Sequence, residues 1–141
     1  MKNAEQTGHS ELTLLERVLK LHGDFRRSFD PIRVTPLQAG MILFLRRHPE
    51  AKATDAARAF SLKLPTVVEV VQAMARKRWI IRRRSVADVR IIHLSLSRQG
   101  QNLARKIDVQ IRHLTTGITN KNWTAADRTR RDRASVKTKG A

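Results

Sequence analysis

The order of patterns between residues 54 and 96 limits the fold of this chain more than any other feature of its sequence. Apolar residues recur at helical spacing in 55–60, a segment that Thr54 can cap, and again in 64–77. Only residues 61–63 separate the two segments. Pro65 lies in the first turn of the second segment, where its missing N–H is tolerated. So short a link favours a helix-turn-helix, although a helical bundle produces the same pattern.

Two strand patterns follow the second helical segment. Ile80 and Ile81 lead into the basic stretch 82–84, and apolar and polar residues alternate from 92 to 96. The stretch 85–90 between them contains polar and charged residues and is suited to a turn. This succession predicts a basic β-hairpin, and a helix-turn-helix followed by such a hairpin is the order of a winged helix-turn-helix.

Two further helices are predicted before this unit. Leucine and phenylalanine recur every three or four positions in residues 10–29, and the Asp-Pro pair at 30–31 should end that helix. The Thr-Pro pair at 35–36 is a start signal for a helix over 37–48, which Pro49 should end.

One long helix is predicted after the hairpin, with Ser97 as its cap. We therefore expect a mostly α protein with a small β-hairpin wing, in the α+β class. Residues 10–30 and 97–118 would form a helical dimerisation region, residues 35–96 a winged helix-turn-helix, and residues 119–141 a basic polar tail that is a loose helix or has no fixed structure.

The net charge of +17 is concentrated in one part of the chain. Residues 76–106 hold ten basic residues and a single acid, Asp88. Such a concentration indicates a polyanionic partner, with nucleic acid favoured over a membrane surface.

Several classes of function are disfavoured. The chain has no cysteine, which excludes disulfides and thiol chemistry, and its five histidines are scattered without metal-ligand spacing. We find no nucleophile–base pair, paired carboxylates or phosphate-binding glycine loop. These patterns predict a cytoplasmic protein that is not an enzyme, uses no metal or cofactor and does not enter a membrane.

Four short motifs resemble those of the MarR family of bacterial transcription regulators. The resemblance runs from about Thr35 to Leu103. The matching residues are Thr35-Pro36-Leu37-Gln38, Thr66-Val67, Asp88-Val89-Arg90 and Leu96-Ser97-Arg98-Gln99-Gly100. The last two are the most specific, because they stand in the right order and at the right distance beside a helix-turn-helix.

The resemblance implies that 64–77 is a recognition helix for the major groove of double-stranded DNA. On its solvent side Val68 would touch a thymine methyl, Glu69 would accept from cytosine, and Gln72 would pair with adenine. The alternative is that Val68 only packs and Glu69 only offsets charge. The full DNA-binding set is predicted to be Lys63, Leu64, Thr66, Val68, Glu69, Gln72, Arg76, Arg82, Arg83, Arg84, Asp88 and Arg90.

In the family, the aspartate of the wing motif orients the hairpin and the arginine contacts DNA. Asp88 and Arg90 stand at these positions, and the resemblance implies an arginine in the minor groove. The alternative is a structural salt bridge, although such a pair would not need the three neighbouring arginines.

Three positions depart from the family pattern. Arg78 stands where a glycine usually ends the recognition helix. A left-handed conformation there would cost about 1 kcal/mol, so the local turn is expected to differ from the family's. Glu69 replaces a common basic residue, which puts the base preference in doubt. Lys63 replaces a serine cap at the turn but offers a phosphate partner.

The resemblance also implies a homodimer held by the terminal helices, with packing inside the monomer as the alternative. The predicted dimerisation residues are Leu12, Leu15, Leu19, Leu103, Ile107, Ile111, Leu114 and Ile118. Many family members release DNA when a small, often aromatic, effector binds beside this region. Candidate pocket residues are Phe25, Phe29, Met41, Phe44 and Leu45, although aromatic spacing of this kind is more often plain core.

Two functions remain open at this point. The first is a dimeric regulator, most simply a repressor, that binds a pseudo-palindromic operator. The second is a non-specific or architectural nucleic-acid-binding protein, which the excess positive charge favours. An RNA partner is less favoured, since the chain has only four Phe, two Trp and no Tyr for base stacking.

Overall fold

The computed structural model describes the backbone of residues 2–121 and the side chains of residues 12–116. Its elements, in chain order, are α1 (Lys2–Phe29), a 3₁₀ turn (Asp30–Ile32), α2 (Pro36–Arg47), β1 (Ala51–Lys52), α3 (Ala53–Ala59), α4 (Leu64–Arg76), β2 (Ile80–Arg84), β3 (Ile92–Leu96) and α5 (Arg98–Lys121). This is the mostly helical architecture with a small wing that the sequence predicts. No helix in the described part of the chain is long and apolar enough to cross a membrane.

Local signals explain where α2 begins. The Thr35 hydroxyl accepts the Gln38 N–H at 3.2 Å, and the Gln38 side chain accepts the Thr35 N–H at 3.1 Å. This reciprocal cap, with Pro36 in the first turn, satisfies two helix-end donors. The start signal predicted at residues 35–36 is confirmed.

The cap predicted for α3 is wrong. Thr54 lies inside the helix, and the capping position is Lys52, whose backbone N–H donates to the Asp55 carboxylate at 2.8 Å. The reason is a strand that the sequence does not predict. Residues 51–52 are held extended by pairing with β3, so α3 begins directly after them.

The sheet has the strand order β1-β3-β2 and is antiparallel throughout. Ile80 pairs with Leu96 and Arg84 with Ile92, so the two wing strands are in full register. The short strand β1 places Lys52 beside His93 on the other edge of β3.

The core lies between α2, α4, α5 and the inner face of the sheet. Its fully buried large side chains are Met41, Ile42, Leu45, Val67, Met74, Leu94 and Ile107. Because α2 packs against α1, α5 and β3, it is the central helix. α1 begins at Lys2 rather than at residue 10, and it ends at Phe29 as the Asp-Pro pair predicts.

The entry to α5 is fixed by a close approach to the end of α4. The Ser97 hydroxyl accepts the Gly100 N–H at 3.0 Å, and the Ser97 N–H donates to the Trp79 carbonyl at 3.0 Å. A Cβ on Gly100 would lie 2.1 Å from that carbonyl oxygen. The hydroxyl and the glycine of the Leu96–Gly100 motif therefore have a structural reason, which is to seat α5 against the backbone at residue 79.

Candidate nucleic-acid interface

The helix α4 presents two different faces. Val67, Val71 and Met74 are buried against the core. Glu69, Gln72 and Arg76 follow one another at spacings of three and four on the opposite side, and all three are exposed. None of these three side chains is engaged by another residue among those the structure describes. This stripe is therefore free to meet an external partner.

The other residues predicted on this surface lie around the stripe. Thr66 and Lys63 are exposed, and Leu64 and Val68 are 43% and 38% exposed. Lys63 occupies the N-cap of α4 without a side-chain cap. The structure thus brings the predicted residues of the recognition helix to one side of α4, with aliphatic surface beside the polar stripe.

The tip of the wing is a closed turn. The Ser85 N–H donates to the Ile91 carbonyl at 2.8 Å, and the Ile91 N–H donates to the Asp88 carbonyl at 3.0 Å. The Asp88 N–H also donates to the Ser85 hydroxyl at 3.3 Å. These bonds hold residues 85–91 in one conformation.

Asp88 positions Arg90 within this turn. The Asp88 carboxylate accepts the Arg90 N–H at 3.0 Å and the Arg90 Nε–H at 3.2 Å. The Arg90 backbone N–H and then its guanidinium lower the pKa of Asp88. The Arg90 side chain remains 88% exposed. The Arg90 Nη2 also donates to the second carboxylate oxygen at 3.4 Å, so Asp88 holds the Nε and Nη2 side of the guanidinium and leaves the rest accessible.

The three arginines of β2 differ in their surroundings. The Arg84 guanidinium donates to the Val89 carbonyl at 3.0 Å and braces the tip. Arg82 and Arg83 are exposed and take part in no ion pair within the described residues. Arg84 thus has a structural contact, whereas its two neighbours are free to bind.

Two aliphatic residues at the tip were missed by sequence reasoning. Val86 is fully exposed and Val89 is 65% exposed. The signal was present, because two valines in a basic turn cannot both be buried in a two-stranded ribbon. They add apolar surface beside Arg90.

The end of α4 retains the conformation that glycine usually supplies. Arg78 has φ 59°, in the left-handed region, with its carbonyl accepting from the Ser97 hydroxyl. The Lys77 ammonium lies 4.6 Å from the centre of the Trp79 ring. The turn therefore keeps its left-handed geometry, although arginine adopts this conformation less favourably than glycine does.

The candidate pocket residues lie in and beside the core. Phe29, Met41, Phe44 and Leu45 are buried, and Phe25 is half-buried with its ring 5.7 Å from that of Phe29. Their burial is accounted for by packing within the chain.

The candidate dimerisation residues separate into two groups. Leu12, Leu15 and Leu19 on α1 are 62%, 54% and 61% exposed. Leu103 and Ile107 on α5 are buried, so their contacts lie within the subunit core rather than on a free surface. Ile111 and Leu114 are half-buried, and the side chain of Ile118 and the tail after residue 121 lie outside the described residues.

The fold and this surface define a class of protein, the winged helix-turn-helix. Residues 34–91 match the model of the MarR family. A MarR protein of E. coli has a similar structure, with a TM-score of 0.73 at 18% identity over 89% of this chain and 94% of that one. The CouR repressor, solved on a 23-mer DNA duplex, has a TM-score of 0.74 at 20% identity over 92% and 90%.

A curated relative supports the same placement. The HTH-type transcriptional repressor MdtR of Bacillus subtilis is 28% identical over 101 residues, which cover 71% of this chain. The matched segment spans 65% of the length of MdtR. Over residues 34–91 the chain is similar to the MarR family, as the motifs around residues 35–103 predict.

Proposed function

We propose that this protein is a homodimeric transcription regulator that represses genes by binding a pseudo-palindromic site in double-stranded DNA. The observation that carries the proposal is the free stripe Glu69-Gln72-Arg76 on α4 together with an arginine that Asp88 holds at the tip of the wing.

The stripe suits the major groove. Glu69 accepts the exocyclic amino group of cytosine and Gln72 pairs with adenine, while Arg76 binds a phosphate or guanine. Val68 contacts a thymine methyl, and Thr66 and Lys63 hold flanking phosphates. The Glu69 carboxylate repels phosphates and therefore lowers the affinity of α4 for random DNA. Its favourable contact is with a base, so it contributes to sequence preference instead.

The wing suits the adjacent minor groove. The negative potential of a narrow minor groove attracts a guanidinium, and Arg90 offers one that is 88% exposed. Because Asp88 restrains Arg90 before binding, less conformational entropy is lost in the complex.

A dimer follows from the surface of α1. Leu12, Leu15 and Leu19 form an apolar face that the single chain leaves exposed. Pairing that face with a second copy buries it, and a twofold dimer places two copies of α4 about 34 Å apart, one turn of DNA.

A small effector is the proposed release signal. The relative MdtR is named a repressor. A structural neighbour, BpsR of Bordetella bronchiseptica, is described as regulated in its DNA binding by 6-hydroxynicotinic acid. Phe25 on α1 and Leu45 on α2 are the residues around which such a ligand would bind in this chain.

Selection of bound sites from random DNA tests the proposal. We expect a palindromic consensus with half-sites about 10 base pairs apart and a preference of roughly 10³ or more over random duplex. The free arginines Arg82 and Arg83 favour a second candidate, a non-specific architectural protein. That candidate is supported instead if the selected pool has no consensus and binding shows no specificity ratio.

A further inference from the structure

The strand β1 creates a row of three basic side chains across the sheet. His93 on the central strand pairs with Lys52 on one side and with Arg83 on the other. Residues directly opposite one another in a sheet project from the same face, so the three side chains lie side by side. With strands about 4.8 Å apart, the row spans roughly 10 Å.

This face is the solvent side of the wing. The neighbouring row, Ala51, Leu94 and Arg82, projects from the other face, where Ala51 and Leu94 are buried. Lys52 and Arg83 are exposed and His93 is half-buried.

The row lacks internal charge compensation. Two acidic residues bond to the row: Asp55 accepts the Lys52 backbone N–H, and the Glu50 carbonyl contacts His93. Neither carboxylate forms an ion pair with Lys52 or Arg83 in the described part of the chain. When His93 is protonated, like charges lie directly opposite one another on all three strands, which destabilises the sheet, so an external anion would then relieve the row.

The ring of His93 has a fixed tautomer. Its Nδ1 lies 2.8 Å from the Glu50 carbonyl oxygen, which can only accept, so Nδ1 carries a hydrogen. Glu50 has φ 64°, a left-handed turn that aims this carbonyl. In the neutral ring Nε2 is therefore an acceptor and repels an anion, whereas the protonated ring offers a donor there.

We propose that Lys52, His93 and Arg83 form a phosphate-binding row that holds a backbone phosphate of the bound duplex and holds it more tightly when His93 is protonated. The inference rests on the proposed DNA binding. We favour a phosphate of the bound duplex over a free anion because of where the row lies. The Arg83–His93 pair is next to Arg84–Ile92, which is the last pair of the wing strands before the tip. A duplex at the wing tip therefore passes close to the row.

The test is a titration of the full chain against a fluorescein-labelled mixed-sequence duplex over a range of salt. The double variant Lys52→Gln/Arg83→Gln should lower the magnitude of the slope of log K against log salt by about 0.9, the value for one phosphate. Lys106→Gln/Arg112→Gln, which removes two exposed cations from α5, should leave the slope unchanged.

The histidine is tested by repeating the titration at about pH 8 and about pH 5.5. Acid tightens binding by the wild type, and His93→Gln should lose roughly threefold to tenfold of that gain. Lys52 and Arg83 flank this ring in the sheet, Glu50 contacts it through its carbonyl and Asp55 binds the Lys52 N–H. All four are present in both proteins, so the difference between the two belongs to His93. His113→Gln, on α5, should behave as the wild type.

The outcomes are distinct. If the wild type binds DNA but the double variant keeps its slope and His93→Gln keeps the full response to pH, the row is not a phosphate site. If the wild type fails to bind any duplex at low salt, the proposed function itself fails. Should His93→Gln not fold, the salt slope of the double variant decides alone.

Discussion

Arg46 on α2 and Asp108 on α5 form a bidentate ion pair, with Nη1 to Oδ2 at 2.6 Å and Nη2 to Oδ1 at 2.9 Å. The pair joins the central helix of the fold to the long terminal helix. Both side chains are about one-third exposed, at 36% and 35%. Its hydrogen bonds to Arg46 hold the pKa of Asp108 below its ordinary value.

This pair gives stability a dependence on pH. A carboxylate whose pKa is lower in the folded state stabilises the fold above its unfolded pKa, and that contribution is lost as the pH falls through the folded pKa. We expect Asp108→Asn to cost about 0.5–1 kcal/mol at neutral pH, after screening by solvent, and almost nothing in strong acid. Urea unfolding at the two pH values measures this, and an equal loss at both would contradict it. Asp30→Asn is the control.

Gly100 should not tolerate a side chain. Gly100→Ala places a Cβ against the Trp79 carbonyl, so α5 must shift, and we expect a loss of roughly 1–3 kcal/mol. Gly23→Ala is the matched control, since its Cβ would meet nothing within 4 Å and a helical alanine should add about 0.5–1 kcal/mol. Thermal unfolding of the two variants should move in opposite directions.

The contact between Asp88 and Arg90 should matter for binding rather than for folding. Asp88→Ala removes the acceptor of the Arg90 N–H and Nε–H, so the guanidinium loses its fixed position. We expect DNA binding to weaken by about tenfold even though the variant gains positive charge. Fluorescence anisotropy measures the affinity, and binding that becomes tighter would show that charge alone governs the wing.

Substitutions of Arg90 and Gln72 should affect DNA binding in different ways. Arg90→Ala should weaken binding to every sequence and reduce the salt slope by about 0.9. Gln72→Ala should change the preferred sequence and leave the affinity for random duplex almost unchanged. Selection from random DNA with each variant separates the two effects, and identical profiles would refute the assignment of grooves.

The apolar face of α1 should control association. Leu15→Glu/Leu19→Glu puts charge where we propose that a second copy packs, and the lost burial should raise the dimer dissociation constant at least about a thousandfold. Sedimentation velocity measures this. Arg17→Glu, an exposed position on α1, is the control and should remain dimeric. A wild type that is monomeric at all concentrations would end the proposal.

Much of the wing could be predicted because its signals are local. The strand β3 follows from alternation over the five residues 92–96, and elsewhere Thr35 and Gln38 cap α2 within one turn. The arginine at residue 78 predicts a turn that differs from the family's, and this prediction is wrong, because the structure keeps the left-handed conformation there with φ 59°. The unpredicted strand β1 has just two residues, too few for any periodicity.

The sequence by itself determined the succession of helices, the hairpin and the concentration of positive charge, because caps, periodicity and charge act over a few neighbouring residues. Only the tertiary structure decided which apolar residues belong to the subunit core: Ile107 is buried, whereas Leu15, equally apolar and on a similar seam, is 54% exposed. It also placed Lys52 beside His93, forty-one positions away in the chain. Such contacts depend on how distant elements pack together, which no local pattern records.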